Sequence, residues 1–282
     1  MVMIFVLKLL GMALLATTAA PPATAQDSAV NRGLAVAGPP YPLFVDLTLA
    51  APVIVDATIR RTTRIKGGEA ATVPAGFVRL YIEADVLALL RGPQALPGRI
   101  GYLLDVQPDS RGRLPQLKRL RVLLFARPVT GRADQIQLVR PDAQRPWSPA
   151  ADDLTRRIAT EVVSGTAPPE ITGVGNAFHV AGSLPGEGET QIFLTTADGR
   201  PVSLGIARRP DQPPLWGVSL ADVVDQRGAP PPRDTLLWYR LACALPATLP
   251  DSAVGETERP NADIAREDYR FVIESLGPCT RE

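Results

Sequence analysis

Apolar and polar residues alternate along several stretches of the chain, and the period of two marks them as strands. Val53, Val55, Ala57 and Ile59 alternate with Ile54, Asp56, Thr58 and Arg60. After a Gly- and Ala-rich loop at residues 67–76, Val78, Leu80, Ile82, Ala84, Val86 and Ala88 form one apolar face opposite Arg79, Glu83 and Asp85. Gly92-Pro93 breaks that strand. Ile100, Tyr102, Leu104 and Val106 form a third strand, residues 121–125 a fourth and residues 135–139 a short fifth. Five strands separated by turns predict a meander or small closed barrel.

The period then changes. Ser148-Pro149 supplies an N-cap followed by proline at the first helical position, with Asp152 and Asp153 in the first turn. Leu154, Ile158 and Val162 form the buried stripe of that helix, and Gly165 ends it. A second β section follows, at residues 177–181, 189–196, 201–208, 215–220 and 235–241, with Asp198-Gly199 as a hairpin turn. Residues 246–260 read as irregular. Residues 261–276 read as a second helix, with Ala265, Tyr269, Val272 and Leu276 on one face and Gly277-Pro278 as the stop. The expected class is mainly β with two helices (α+β), an antiparallel small barrel at residues 46–145 and a helix-plus-β section at 146–282. There is no βαβ alternation, which argues against a doubly wound parallel sheet.

The first 25 residues differ in kind. Lys8 precedes the apolar run Leu9-Leu10-Gly11-Met12-Ala13-Leu14-Leu15-Ala16, and the segment ends on Ala23-Thr24-Ala25. That is the shape of a secretory signal, with cleavage expected between Ala25 and Gln26. The apolar run is too short for a membrane anchor. No later segment is apolar for long enough to cross a bilayer, so a periplasmic or secreted product is expected. Residues 26–45, rich in Ala, Gly and Pro, read as a loose arm.

Of the chain's 282 residues, two are cysteine and one is histidine. Cys243 and Cys279 in an exported chain predict one disulfide, worth roughly 4 kcal/mol in the chain-entropy model. It would pin the C-terminal helix to the strand expected at 236–241. These counts exclude multi-histidine and four-cysteine metal sites, and neither a cofactor nor a metal is expected. With 30 Lys and Arg against 29 Asp and Glu, there is no global footprint for nucleic acid. The charge is unevenly placed, however. Arg111, Arg113, Lys118, Arg119 and Arg121 cluster around one loop, and Arg60, Arg61, Arg64 and Lys66 end the first strand. On one face, they could hold an anionic envelope component or an acidic partner.

Catalytic candidates are few. Gly217-Val218-Ser219-Leu220-Ala221 has the form of a nucleophile elbow, and His179 could serve as its base in a secreted serine hydrolase. A serine on a strand surface and a histidine packed between Phe178 and Val180 are the simpler readings. The acidic pairs Glu83/Asp85 and Glu187/Glu189 could serve acid–base or calcium chemistry by residue type, and with His179 offer the hydrolase a second route, although exposed strand faces often carry such charges. An exported, non-catalytic envelope protein that binds or scaffolds an unknown partner is the leading expectation.

The order of strand, loop, long strand, Leu90-Arg91-Gly92-Pro93, strand, and Arg121-Val122-Leu123-Leu124-Phe125 resembles the OB-like barrel of domains similar to tissue inhibitors of metalloproteinases. The resemblance covers about a third of the chain. Those inhibitors reach zinc through an N-terminal cysteine. The expected start here is Gln26, so the resemblance implies the barrel and not the inhibition. The style of the signal, the Arg and Ala richness, and the segment Trp238-Tyr239-Arg240-Leu241-Ala242-Cys243 are similar to uncharacterised exported proteins of alphaproteobacteria, which implies no activity.

Overall fold

The structure, a computed structural model, describes residues 38–281 apart from 71, 93–95, 222–227 and 256. The signal and cleavage site, Pro93 of the expected strand break, and residues 26–37 of the expected arm lie outside the described residues.

Strands β1 (Val53–Arg64), β2 (Val78–Arg91) and β3 (Arg99–Val106) pair antiparallel in succession. Strand β4 (Arg121–Val129) pairs with β1, while β5 (Arg132–Leu138) lies between β3 and β4. The order β1-β2-β3-β5-β4, returning to β1, closes a five-stranded barrel of OB-like form. It is not a meander. The β3–β5 contact is parallel, through Gly101 and Gln135, and the other pairings are antiparallel. A short β6 (Gln144–Pro146) pairs antiparallel with β4 at Val122–Leu124.

The barrel interior takes one side of each strand: Val53, Val55, Ala57 and Ile59 meet Leu80, Ile82, Tyr102, Val122 and Leu124. Ile54, Leu123 and Phe125, from the alternate positions of β1 and β4, belong to a second core. Helices α1 (Tyr41–Ala50), α2 (Pro149–Val163) and α3 (Leu236–Ala242) pack together there, with Phe44 edge-on to Phe125 at 5.9 Å between centroids. The expected N-cap is in place, since Ser148 accepts from the Ala151 amide.

The second sheet is an antiparallel meander of β7 (Ile171–Ala181), β8 (Gly188–Thr196), β9 (Val202–Arg208) and β10 (Leu215–Ser219). Helix α4 (Arg259–Leu276) lies against β7 and β8 and buries Ala265, Tyr269, Val272 and Leu276, the face read from its spacing.

Among the described residues there are four α-helices rather than two. Residues 41–45 of the expected arm begin α1, whose Tyr41, Leu43, Phe44 and Val45 are buried. A helix apolar on nearly every side shows no amphipathic period, so its pattern is silent until a core surrounds it. Residues 235–241 were expected as a strand and form α3, with Thr235 capping by accepting from the Trp238 amide. A short apolar run does not distinguish the two states by periodicity.

The disulfide Cys243–Cys279 joins the residue after α3 to the end of the chain beyond α4, across 36 residues. The Trp238 indole donates to the Leu276 carbonyl at 2.9 Å within the same clamp. Replacing both cysteines by serine is expected to lower unfolding free energy by about 4 kcal/mol, read by denaturant titration. Asp56, buried on the second-core side of β1, receives two bonds from Arg121 (3.0 and 2.6 Å), whose guanidinium lies over Trp147 at 3.6 Å. Asp56→Ala should cost about 2 kcal/mol in the same titration, in the range for bonds to charged groups.

Candidate functional site

Register assigns the two faces of the second sheet. Thr190 stands opposite His179 and Ile206, and Gln191 opposite Phe178 and Gly205. Gly217 stands opposite Gly205, and Ser219 opposite Ser203. Directly opposed residues share a face, and successive residues alternate. The inner face therefore carries His179, Thr190, Ile206 and Trp216 toward α4, where the Trp216 indole donates to Ser275 at 2.9 Å. The outer face carries Glu189, Gln191, Ser203, Gly205, Gly217 and Ser219.

This outer face is partly roofed. A Cβ at Gly217 would stand 1.9 Å from the Gly228 carbonyl oxygen, so the strand must be side-chain-free there for residues 228–230 to cross it. Between roof and sheet lies a cavity of about 400 Å³. Its volume falls within the range of small-molecule sites. Gln191, Ser203, Gly205 and Ser219 line its floor, and Leu215 and Pro230 its sides.

The floor holds unspent hydrogen-bonding capacity. Gln191 Nε2 donates to Glu189 Oε1, which fixes the amide orientation because a carboxylate accepts. Gln191 Oε1 and Ser203 Oγ have no partner, although the two residues are only 7% and 3% exposed. Leaving such an atom unpaired costs about 1–3 kcal/mol. A more open hollow of about 650 Å³ continues the cavity toward β7, sharing Glu189, Gln191, Ala207 and Arg209 with it. Its wall includes Phe178 and Phe193, with ring centroids 6.1 Å apart, and Val180, which is 57% exposed.

A second polar cluster lies on the inner face, sealed beneath α4. His179 Nδ1 is 2.9 Å from Thr190 Oγ1, and that hydroxyl donates to Asp268. Arg208 Nε donates to the other Asp268 oxygen at 2.7 Å. Since the Thr190 proton goes to Asp268, Thr190 accepts from His179 Nδ1–H, which sets the imidazole tautomer. Burial lowers the His179 pKa, and burial raises that of Asp268 against the opposing pull of Thr190 and Arg208. Asp268 is 0% exposed. The cluster fastens α4 to β7, β8 and β9, with His179, Thr190 and Asp268 buried. It was legible in part, because Asp268 falls on the apolar stripe between Ala265 and Tyr269, where an acid needs a buried partner.

Ser219 and His179 are not brought together. They sit on β10 and β7, the two outer strands of this sheet, and on opposite faces of it. The basic residues do become neighbours in part. Arg119 N donates to the Ile59 carbonyl and Ile59 N to the Leu120 carbonyl, which lays the 118–121 segment along β1. Acids interrupt that surface: Arg60 pairs with Asp85, Arg113 with Asp109 and Arg121 with Asp56. Arg61 stands opposite Glu83. Among the described residues, Arg61, Arg64, Arg111, Lys118 and Arg119 form no ion pair within 4.0 Å. No group of three or more potential metal ligands occurs among the described residues, and none of their helices is long and apolar enough to cross a membrane.

Gln191 and Ser203 carry no signal as single residues, since polar side chains alternate outward on any half-exposed strand. The combination of Gly205, Gly217 and two serines on adjoining strands marks a face free of bulk, but adjacency is known only once the register is.

The inner cluster predicts a pH dependence. A histidine whose native pKa lies below its ordinary 6.5 takes up its proton first in the unfolded chain, so stability falls as pH drops through that value. Asp268 acts in the opposite sense: its raised native pKa makes the folded state take the proton first, above the ordinary 3.8. His179→Gln should flatten the fall in denaturant midpoint between about pH 7.5 and pH 5. An unchanged slope would remove His179 as its source. Comparison with protein-family models and with curated proteins finds no match for this chain.

Proposed function

We propose that this chain is an exported, non-catalytic binding module of the cell envelope, and that the outer face of the second sheet is its site. One observation carries the reading: two buried polar side chains, Gln191 and Ser203, end in a groove with hydrogen-bonding capacity that the chain does not use. A protein surface that merely faces solvent does not bury such atoms under a roof. The disulfide supports an oxidising compartment and agrees with the secretory pattern of the first 25 residues. The alternative, a secreted serine hydrolase, is disfavoured because its nucleophile and base point away from one another.

Gly205→Val tests the site, since its side chain would fill the floor next to Gln191 Nε2, 3.4 Å from the new Cβ. Protein is mixed with the low-molecular-mass fraction of an envelope extract from the source organism and separated from unbound solute. Retained molecules are then identified by mass spectrometry. The wild type should retain at least one solute that the variant loses while keeping its melting temperature. Equal retention by both proteins would move the site elsewhere, and no retention by either would refute a small-ligand role. Ser219→Ala should leave any background ester hydrolysis unchanged, whereas a Ser219-dependent rate would favour the hydrolase.

A further inference from the structure

We propose that the outer-face groove takes a neutral oligosaccharide, a proposal that rests on the groove being the binding site. The deepest polar atoms set the first requirement. With Gln191 Nε2 committed to Glu189, Oε1 can only accept, while Ser203 Oγ can donate or accept. These residues stand on adjoining strands as diagonal neighbours on one face, Ser203 lying opposite Phe193 and two positions from the partner of Gln191, so one ligand hydroxyl can donate to the amide oxygen and accept from the serine. Charge sets the second requirement. Glu189 and Arg209 carry opposite signs at the junction of the two hollows, so neither an anion nor a cation gains over a neutral molecule.

The walls set the third. Leu215, Ala207 and Pro230 flank the floor, and Phe178 and Phe193 present exposed ring surface in the adjoining hollow. A pyranose ring has the matching form, with hydroxyls at its edge and C–H groups on its faces. Two connected hollows accommodate more than one ring. An extended peptide is a poorer match, because peptides bound to sheets pair with the backbone of a free strand edge. The groove lies on the face of the sheet, where the backbone groups of β8 and β9 are already spent in the ladder.

The test uses the full mature chain and defined probes: chitotetraose, maltotetraose and cellotetraose, with tetra-alanine and a hexagalacturonate as contrasts. Backbone amide shifts are followed by NMR at probe concentrations up to about 10 mM, which reaches affinities in the millimolar range. At least one neutral tetrasaccharide should shift residues 189–193, 203–207 and 215–219. Ser203→Ala should weaken it about fivefold to tenfold, the effect of one hydrogen bond, with the melting temperature kept. Shifts at these residues with tetra-alanine alone would overturn the saccharide class, and with the galacturonate alone its neutrality; either would overturn the proposal and leave the groove as a site. Silence from every probe would overturn both. Saccharide binding that shifts other residues, or that Ser203→Ala leaves unchanged, would also overturn the proposal.

Discussion

Between Val53 and Ile59, β1 sends Val53, Val55, Ala57 and Ile59 into the barrel and Ile54 and Asp56 to the opposite side. Strand β4 does the same with Val122 and Leu124 against Leu123 and Phe125. A pair of strands buried on both faces cannot slip by one residue without moving apolar side chains between two cores and placing Asp56 inside the barrel. Each large apolar side chain at this boundary contributes about 1.5–3 kcal/mol by burial. The same pairing abolishes the barrel's open edge and gives α1 and α2 a surface to pack on.

The second sheet repeats this logic with a different result. Its inner face is covered by α4 and fastened by the Thr190–Asp268–Arg208 bonds, and α4 is itself held to α3 by the disulfide and by Trp238. The outer face needs no such packing. Small residues at Ser203, Gly205 and Gly217 leave room, and the chain crosses above them instead of filling them. An inner face that is fully anchored makes the outer one a rigid platform, which is where a site of fixed geometry belongs. The two hydroxyl- and amide-bearing side chains on it cost stability, and that cost is consistent with a ligand partner.

Much of this was legible from local pattern. Alternation or short apolar runs located nine of the ten described strands, because a strand's faces are set residue by residue. The Ser148-Pro149 cap, the α4 stripe, the Asp198-Gly199 turn and the cysteine pair rest on equally local chemistry. Helices α1 and α3 escaped because both are short and buried on most sides, so neither carries a period. The parallel β3–β5 contact escaped because nothing within either strand states its partner. The pair Ser219 and His179 shows the same limit in a site: residue type nominated them, and a four-stranded sheet separated them.

What the sequence by itself determined was which segments are strands, which way their apolar sides face, where the disulfide forms and which chemistries lack their residues. These follow from interactions within a few positions, or from counts. What tertiary structure decided was which faces meet. It gave β1 and β4 two cores, enclosed Asp268 with Thr190 and Arg208, and assembled Gln191, Ser203 and Gly217 from three strands into one groove. Those outcomes depend on strand order and register, set by the packing of the whole chain. The single histidine thus became a buried strut, and the chemistry of interest moved to neutral side chains on the other face of its sheet.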